Sequence, residues 1–178
     1  MNETKCYKAS RKHTIITILG ITALALLILV GTAGAAQSSN VWFHKGSELM
    51  SSEKYDEAIK AYDKAIEINP RDSEAWDGKG VALGNLGIYN EAIKAYDNAI
   101  EINPMDSETW YNKAVTLNKL NEPDKAIKAY DKVIEINPKN PDAWYNKGLA
   151  LAKLKKFGEA IGAFRKATEI NPNIKSLA

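Results

Sequence analysis

Residues 73–106 read SEAWDGKGVALGNLGIYNEAIKAYDNAIEINPMD, and the same 34-residue phrase returns on either side of them. Trp42, Trp76, Trp110 and Trp144 are the chain's four tryptophans and stand 34 residues apart. Asn69-Pro70, Asn103-Pro104, Asn137-Pro138 and Asn171-Pro172 keep the same interval. A fixed period of this length implies one supersecondary unit copied in tandem and stacked, each copy burying its apolar face on the next. Such an array presents surface, and surface rather than chemistry is what its function should use.

With Trp at position 4, the repeats are 39–72, 73–106, 107–140 and 141–174. Position 8 is Gly46, Gly80, Ala114 and Gly148; position 11 is leucine in every copy; position 20 is always alanine (Ala58, Ala92, Ala126, Ala160). Position 24 is aromatic (Tyr62, Tyr96, Tyr130, Phe164), and position 27 is small or branched. Positions 4, 8 and 11 have helical spacing, as do 20, 24 and 27, so each repeat holds two amphipathic helices, A and B. Small residues at 8 and 20 let their axes approach, and Trp, Leu and the aromatic ring fill the core between them. Proline ends helix B by forcing the residue before it out of the helical region. Pro123 replaces an aromatic residue at the A-to-B turn, where it suits the first turn of a helix.

Repeat 2 carries Trp76, Gly80, Leu83, Ala92, Tyr96, Ala99 and Pro104 in order, and this set resembles the signature of the tetratricopeptide repeat, or TPR. The resemblance implies an all-α fold, a right-handed α-solenoid of four helix-turn-helix repeats whose A helices line a concave, peptide-binding groove. In the family, A-helix positions that include 5, 6 and 13 face that groove. Here these are Phe43, Asp77, Tyr111 and Tyr145 at position 5, His44, Asn112 and Asn146 beside Gly78 at position 6, and Lys119 and Lys153 at position 13. The pair Tyr111/Asn112 recurs as Tyr145/Asn146. Amides in a row can pair with an extended peptide backbone, and tyrosines offer rigid amphipathic contact. The family's clamp for chaperone C-termini needs Lys or Arg where this chain has Glu108 and Asn112, or Asp142 and Asn146, so it is not expected.

Upstream, residues 14–36 hold no formal charge and would span roughly 34 Å as a helix, enough for a hydrocarbon core of about 30 Å. Lys5, Lys8, Arg11 and Lys12 all precede it. The positive-inside rule then leaves residues 1–13 in the cytoplasm and sends the repeats across the membrane. The expectation is a transmembrane signal anchor at 14–36; a cleaved signal peptide is the other reading, ending in the small residues 33–36. Residues 175–178 form a short tail, too short for a capping helix. A terminal repeat needs a polar outer face, yet helix B of repeat 4 keeps Ile161 and Phe164 like the internal copies, so this face is expected to dock another protein or another copy of the chain.

Residues 38–178 carry 20 basic against 21 acidic side chains, which argues against wholesale phosphate binding and so against nucleic acid as a partner. The charge is graded, however: −2, −4, +1 and +3 from repeat 1 to repeat 4. Cys6 is the only cysteine, so an intrachain disulfide is excluded. His13 and His44 are the only histidines, and no metal-ligand spacing, phosphate-binding loop or nucleophile motif appears. The sequence therefore predicts a membrane-anchored, non-catalytic scaffold for a protein or peptide, with no cofactor and no metal.

Overall fold

A computed structural model describes residues 38–174, and these are helical throughout apart from turns. Helix α1 covers 38–51. It is followed by α2 (Tyr55–Ile68), α3 (Ser73–Asn85), α4 (Tyr89–Ile102), α5 (Ser107–Lys119), α6 (Pro123–Ile136), α7 (Pro141–Lys153) and α8 (Phe157–Ile170). Odd-numbered helices are the A helices and even-numbered ones the B helices. The expected membrane helix at 14–36 and the tail at 175–178 lie outside the described residues. Among those described, no helix is long and apolar enough to cross a membrane.

Each turn from A to B is made by one backbone device. Glu53, Gly87, Asn121 and Lys155, all at position 15, have φ of 57°, 77°, 61° and 61°. That left-handed residue lets the next N–H turn back onto the leucine carbonyl at position 11, as in Lys54 N–H to Leu49 O (2.9 Å) and Glu122 N–H to Leu117 O (2.9 Å). The N–H of position 15 itself reaches position 12, completing a Schellman motif. Pro123 stands in the first turn of α6, where its missing N–H costs nothing.

The B-to-A connection is equally specified. The Asn C-cap donates its N–H back to position 27 (Asn69 to Ala65 O, 2.8 Å). Its side-chain oxygen accepts from the residue two further on: Arg71, Lys139 and Asn173 donate to Asn69, Asn137 and Asn171 at 3.2, 3.3 and 3.1 Å. The chain then enters the next A helix at Asp72, Asp106 or Asn140, whose side chains accept from Ala75, Glu108 and Ala143 N–H at 3.0–3.1 Å. These N-caps satisfy donors that the helix cannot, each worth about 1 kcal/mol.

The two periodic markers of the sequence meet in space. The indole N–H of Trp76, Trp110 and Trp144 donates to the carbonyl of Pro70, Pro104 and Pro138 at 3.1, 3.0 and 3.1 Å. A lysine ammonium stands over each ring, Lys79, Lys113 and Lys147, at 5.2–5.5 Å from the centroid. The tryptophans are half-buried rather than fully inside, because the indole nitrogen must reach that rim carbonyl. The fully enclosed positions include the alanines at 20 and 27, with Val133, and the ring at 24 is all but enclosed in Tyr62, Tyr96 and Tyr130. That ring lies flat on position 8. A Cβ added at Gly46, Gly80 or Gly148 would fall 2.5–2.6 Å from Tyr62, Tyr96 or Phe164.

Candidate functional site

The A helices touch one another, α3 with α5 and α5 with α7, and no comparable contact joins successive B helices. The array therefore bends toward its A side, and the residues at positions 5, 6 and 13 lie along that inner row.

Position 5 packs on the ring at position 24 of its own repeat. Phe43 meets Tyr62, Tyr111 meets Tyr130 and Tyr145 meets Phe164, with centroids 5.9, 5.9 and 5.4 Å apart. Repeat 2 places Asp77 there instead. Position 6 of the following repeat reaches back to position 5. Asn146 Nδ2 donates to Tyr111 OH at 2.9 Å, and Asn112 Nδ2 lies 3.3 and 3.5 Å from the two Asp77 oxygens. At the first joint Gly78 stands in that place because the Tyr62 ring fills it; an added Cβ would come within 2.6 Å of the ring. The recurring asparagines thus join repeat to repeat. Asn146 also donates to Asp142 O at 2.9 Å, so both its N–H bonds are used and its Oδ1 is the group left over from those bonds.

Asp77 is half-buried, and burial pushes its carboxyl up to about 6 against the donated hydrogen bond from Asn112. Asp106 and Glu108 add repulsion. Thr109, which is 1% exposed, also lies close enough to oppose that rise, although its hydroxyl is directed to Asp106 Oδ2 at 3.0 Å. Burial likewise raises the phenols of Tyr62, Tyr96, Tyr111 and Tyr130.

Among the described residues, the row is open at both ends: no position 6 donates to Tyr145, and no position 5 precedes exposed His44. Lys153 reaches across to Asn118 O at 3.4 Å, and Lys119 is exposed at the end of α5. Of the predicted residues, the structure joins Asp77 to Asn112, Tyr111 to Asn146 and Phe43 to His44, whose rings are 5.6 Å apart. It leaves Lys119 apart from them. Sequence reasoning missed Thr109 and Asn118. Asn118 Nδ2 reaches Tyr130 OH at 3.3 Å, while its Oδ1 is buried without a hydrogen bond. Thr109 is legible in retrospect as the hydroxyl at a position otherwise Val41, Ala75 and Ala143. Among the described residues, no group of three or more His, Cys, Asp or Glu side chains is placed to hold a metal.

An array of helix pairs with fitted joints and an open inner row defines a repeat protein of the scaffold class. The tetratricopeptide repeat model matches residues 39–72, 73–106, 107–140 and 141–174, and the chain belongs to that family. Among solved structures it is similar to MamA, at 27% identity and TM-score 0.74 over 79% of this chain and 81% of that one. MamA 41-end from Desulfovibrio magneticus RS-1 aligns at 23% identity and TM-score 0.72, covering 76% of this chain and 77% of its own. PilF of Pseudomonas aeruginosa aligns at 19% and 0.72, covering 81% and 66%. The last two likenesses are of fold alone. No curated protein matches the chain in sequence.

Proposed function

We propose that the chain is a non-catalytic adaptor, anchored by residues 14–36 with its N-terminus in the cytoplasm, and that its concave row holds a protein segment on the extracytoplasmic face. The observation that carries the groove reading is the open end of the row. Among the described residues, Tyr145 repeats the Tyr111 arrangement without an asparagine that donates to it, so a partner's amide can donate to its hydroxyl. Exposed Lys119 and Lys153 favour a segment with carboxylates near that end.

Peptides selected by display against the full chain test this. They should lose about tenfold or more in affinity when Tyr145→Ala is combined with Lys119→Glu and Lys153→Glu. Equal binding by the variant would move the site elsewhere. Protease added to spheroplasts should degrade the repeats, whereas full protection would place them in the cytoplasm. N-terminal sequencing of the mature protein separates the anchor from a cleaved, released adaptor.

A second reading, end-to-end assembly, is favoured by the two ends of the solenoid. Position 3 is buried in Ala75, Thr109 and Ala143, yet Val41 is 64% exposed. Isoleucine at position 21 packs against the following repeat in Ile59, Ile93 and Ile127, yet Ile161 is 58% exposed. Among the described residues, the first and fourth repeats thus each expose an apolar side chain at a position that is packed in the others. Ile161→Glu should abolish concentration-dependent sedimentation if copies stack this way.

A further inference from the structure

Because successive B helices diverge, the outer face has a groove between α4 and α6, floored by α5. It encloses about 720 Å³, within the range that takes large anchoring groups. Its floor is apolar, made by Ile93, Trp110 and Leu117. Its α6 bank is basic and its α4 bank is mixed: five lysines line the groove against Asp97 and Glu122, which pair with Lys113 and Lys125. Lys94 stands on α4, and Lys125, Lys128 and Lys132 stand on α6.

Lys125 is particular to this joint, whereas Lys128 recurs as Lys60 and Lys94 and Lys132 recurs as Lys64 and Lys166. The neighbouring outer groove beside Trp76 is smaller, about 320 Å³, and carries Glu91 and Asn98 where this one has Lys125 and Lys132. Repeats 1 and 4 also have glutamate, Glu57 and Glu159, at the Lys125 position. Lys125 and Lys132 are ion-paired with Glu122 and Glu135 along their own helix, while Lys94 and Lys128 make no ion pair among the described residues. All four are exposed.

We propose that this groove docks an acidic amphipathic helix of a partner protein. The helix would set its apolar stripe on Ile93, Trp110 and Leu117 and direct its flanking carboxylates to the α6 lysine row and to Lys94. The spacing selects a helix over a small anionic amphiphile. Lys125, Lys128 and Lys132 follow one another at three and four residues, a row of roughly 10 Å at 1.5 Å per residue. One headgroup cannot meet that row, whereas Glu or Asp residues with the same helical spacing can. This surface is on the opposite side of the array from the concave row and is independent of it.

The test uses the full chain in nanodiscs of neutral lipid and a fluorescent synthetic helix of about four turns, with Leu along one stripe and Glu beside it. Its Leu/Lys counterpart serves as the second probe. The acidic helix should bind saturably, and the basic one should not. Lys125→Glu, Lys128→Glu and Lys132→Glu together should weaken binding about tenfold or more, since they oppose the ligand's own charge. A control with Lys60→Glu, Lys155→Glu and Lys156→Glu changes net charge equally and should have a much smaller effect. Tyr145→Ala should have none, which separates this result from the fate of the concave reading. Unchanged circular dichroism melts check that both triple variants fold.

Failure of the acidic helix to bind overturns the proposal, as does equal weakening by the two triple variants. If the helix does not bind but phosphatidylglycerol vesicles hold the chain through these lysines, the groove is a membrane surface and the proposal is wrong. If the helix does not bind and the groove variant instead dissolves an oligomer, the occupant is a second copy and the proposal is equally wrong.

Discussion

A carboxylate standing where the other repeats put an aromatic ring should mark the pH dependence of stability. Asp77 holds its proton up to about pH 6 in the fold, against about 3.9 in the unfolded chain. Between those values the native state binds more proton than the unfolded state. Asp77 therefore contributes stability that is complete below about pH 4 and lost as pH rises through about 6. Asp77→Asn keeps an acceptor for Asn112 and removes the buried charge. It should raise stability at pH 7 by on the order of 2 kcal/mol and change it little at pH 4, as read from urea melts at the two pH values. The left-handed turn residues give a second expectation. Gly87 is free to adopt its φ of 77°, while Glu53 and Lys155 hold 57° and 61° against their own Cβ. Glu53→Gly and Lys155→Gly should each stabilise by about 1 kcal/mol in thermal melts, and Gly87→Ala should destabilise by a similar amount.

The helices and their order were legible in the sequence because apolar periodicity, small residues at position 8 and Asn-Pro all report on local packing. The turns were less so. Position 15 reads Glu, Gly, Asn and Lys, and what these share is a φ value rather than a chemistry. The N-caps at Asp72, Asp106 and Asn140 follow the Asn-Pro pair so closely that they read as part of the stop rather than as the next start. At the candidate site, Tyr111/Asn112 and Tyr145/Asn146 stood out as repeated pairs. That Asn146 serves Tyr111 was hidden, because the partners are 35 residues apart and meet only across a joint between helices. This joint predicts an energetic coupling. In a double-mutant cycle, Tyr111→Phe and Asn146→Ala should be non-additive by about 0.5–1.5 kcal/mol, and additivity would mean that the bond does not hold α5 to α7.

For the whole molecule, the residues on the 34-residue beat are spent on standing the array up: Trp on the proline carbonyl, ring on glycine, alanine on alanine. The proposed recognition surfaces lie off the beat, on the concave row that reaches Tyr145 and in the basic outer groove at the third repeat. Site-specific photocrosslinking in the producing cell tests this division most directly. A photoreactive residue is placed in turn at the exposed concave positions His44, Lys119 and Lys153, and at Lys60 and Lys166, which lie on B helices outside the basic groove. The account predicts a discrete adduct to a second protein from the concave positions and none from Lys60 or Lys166. Adducts at Lys60 and Lys166 with none from the concave row would contradict it.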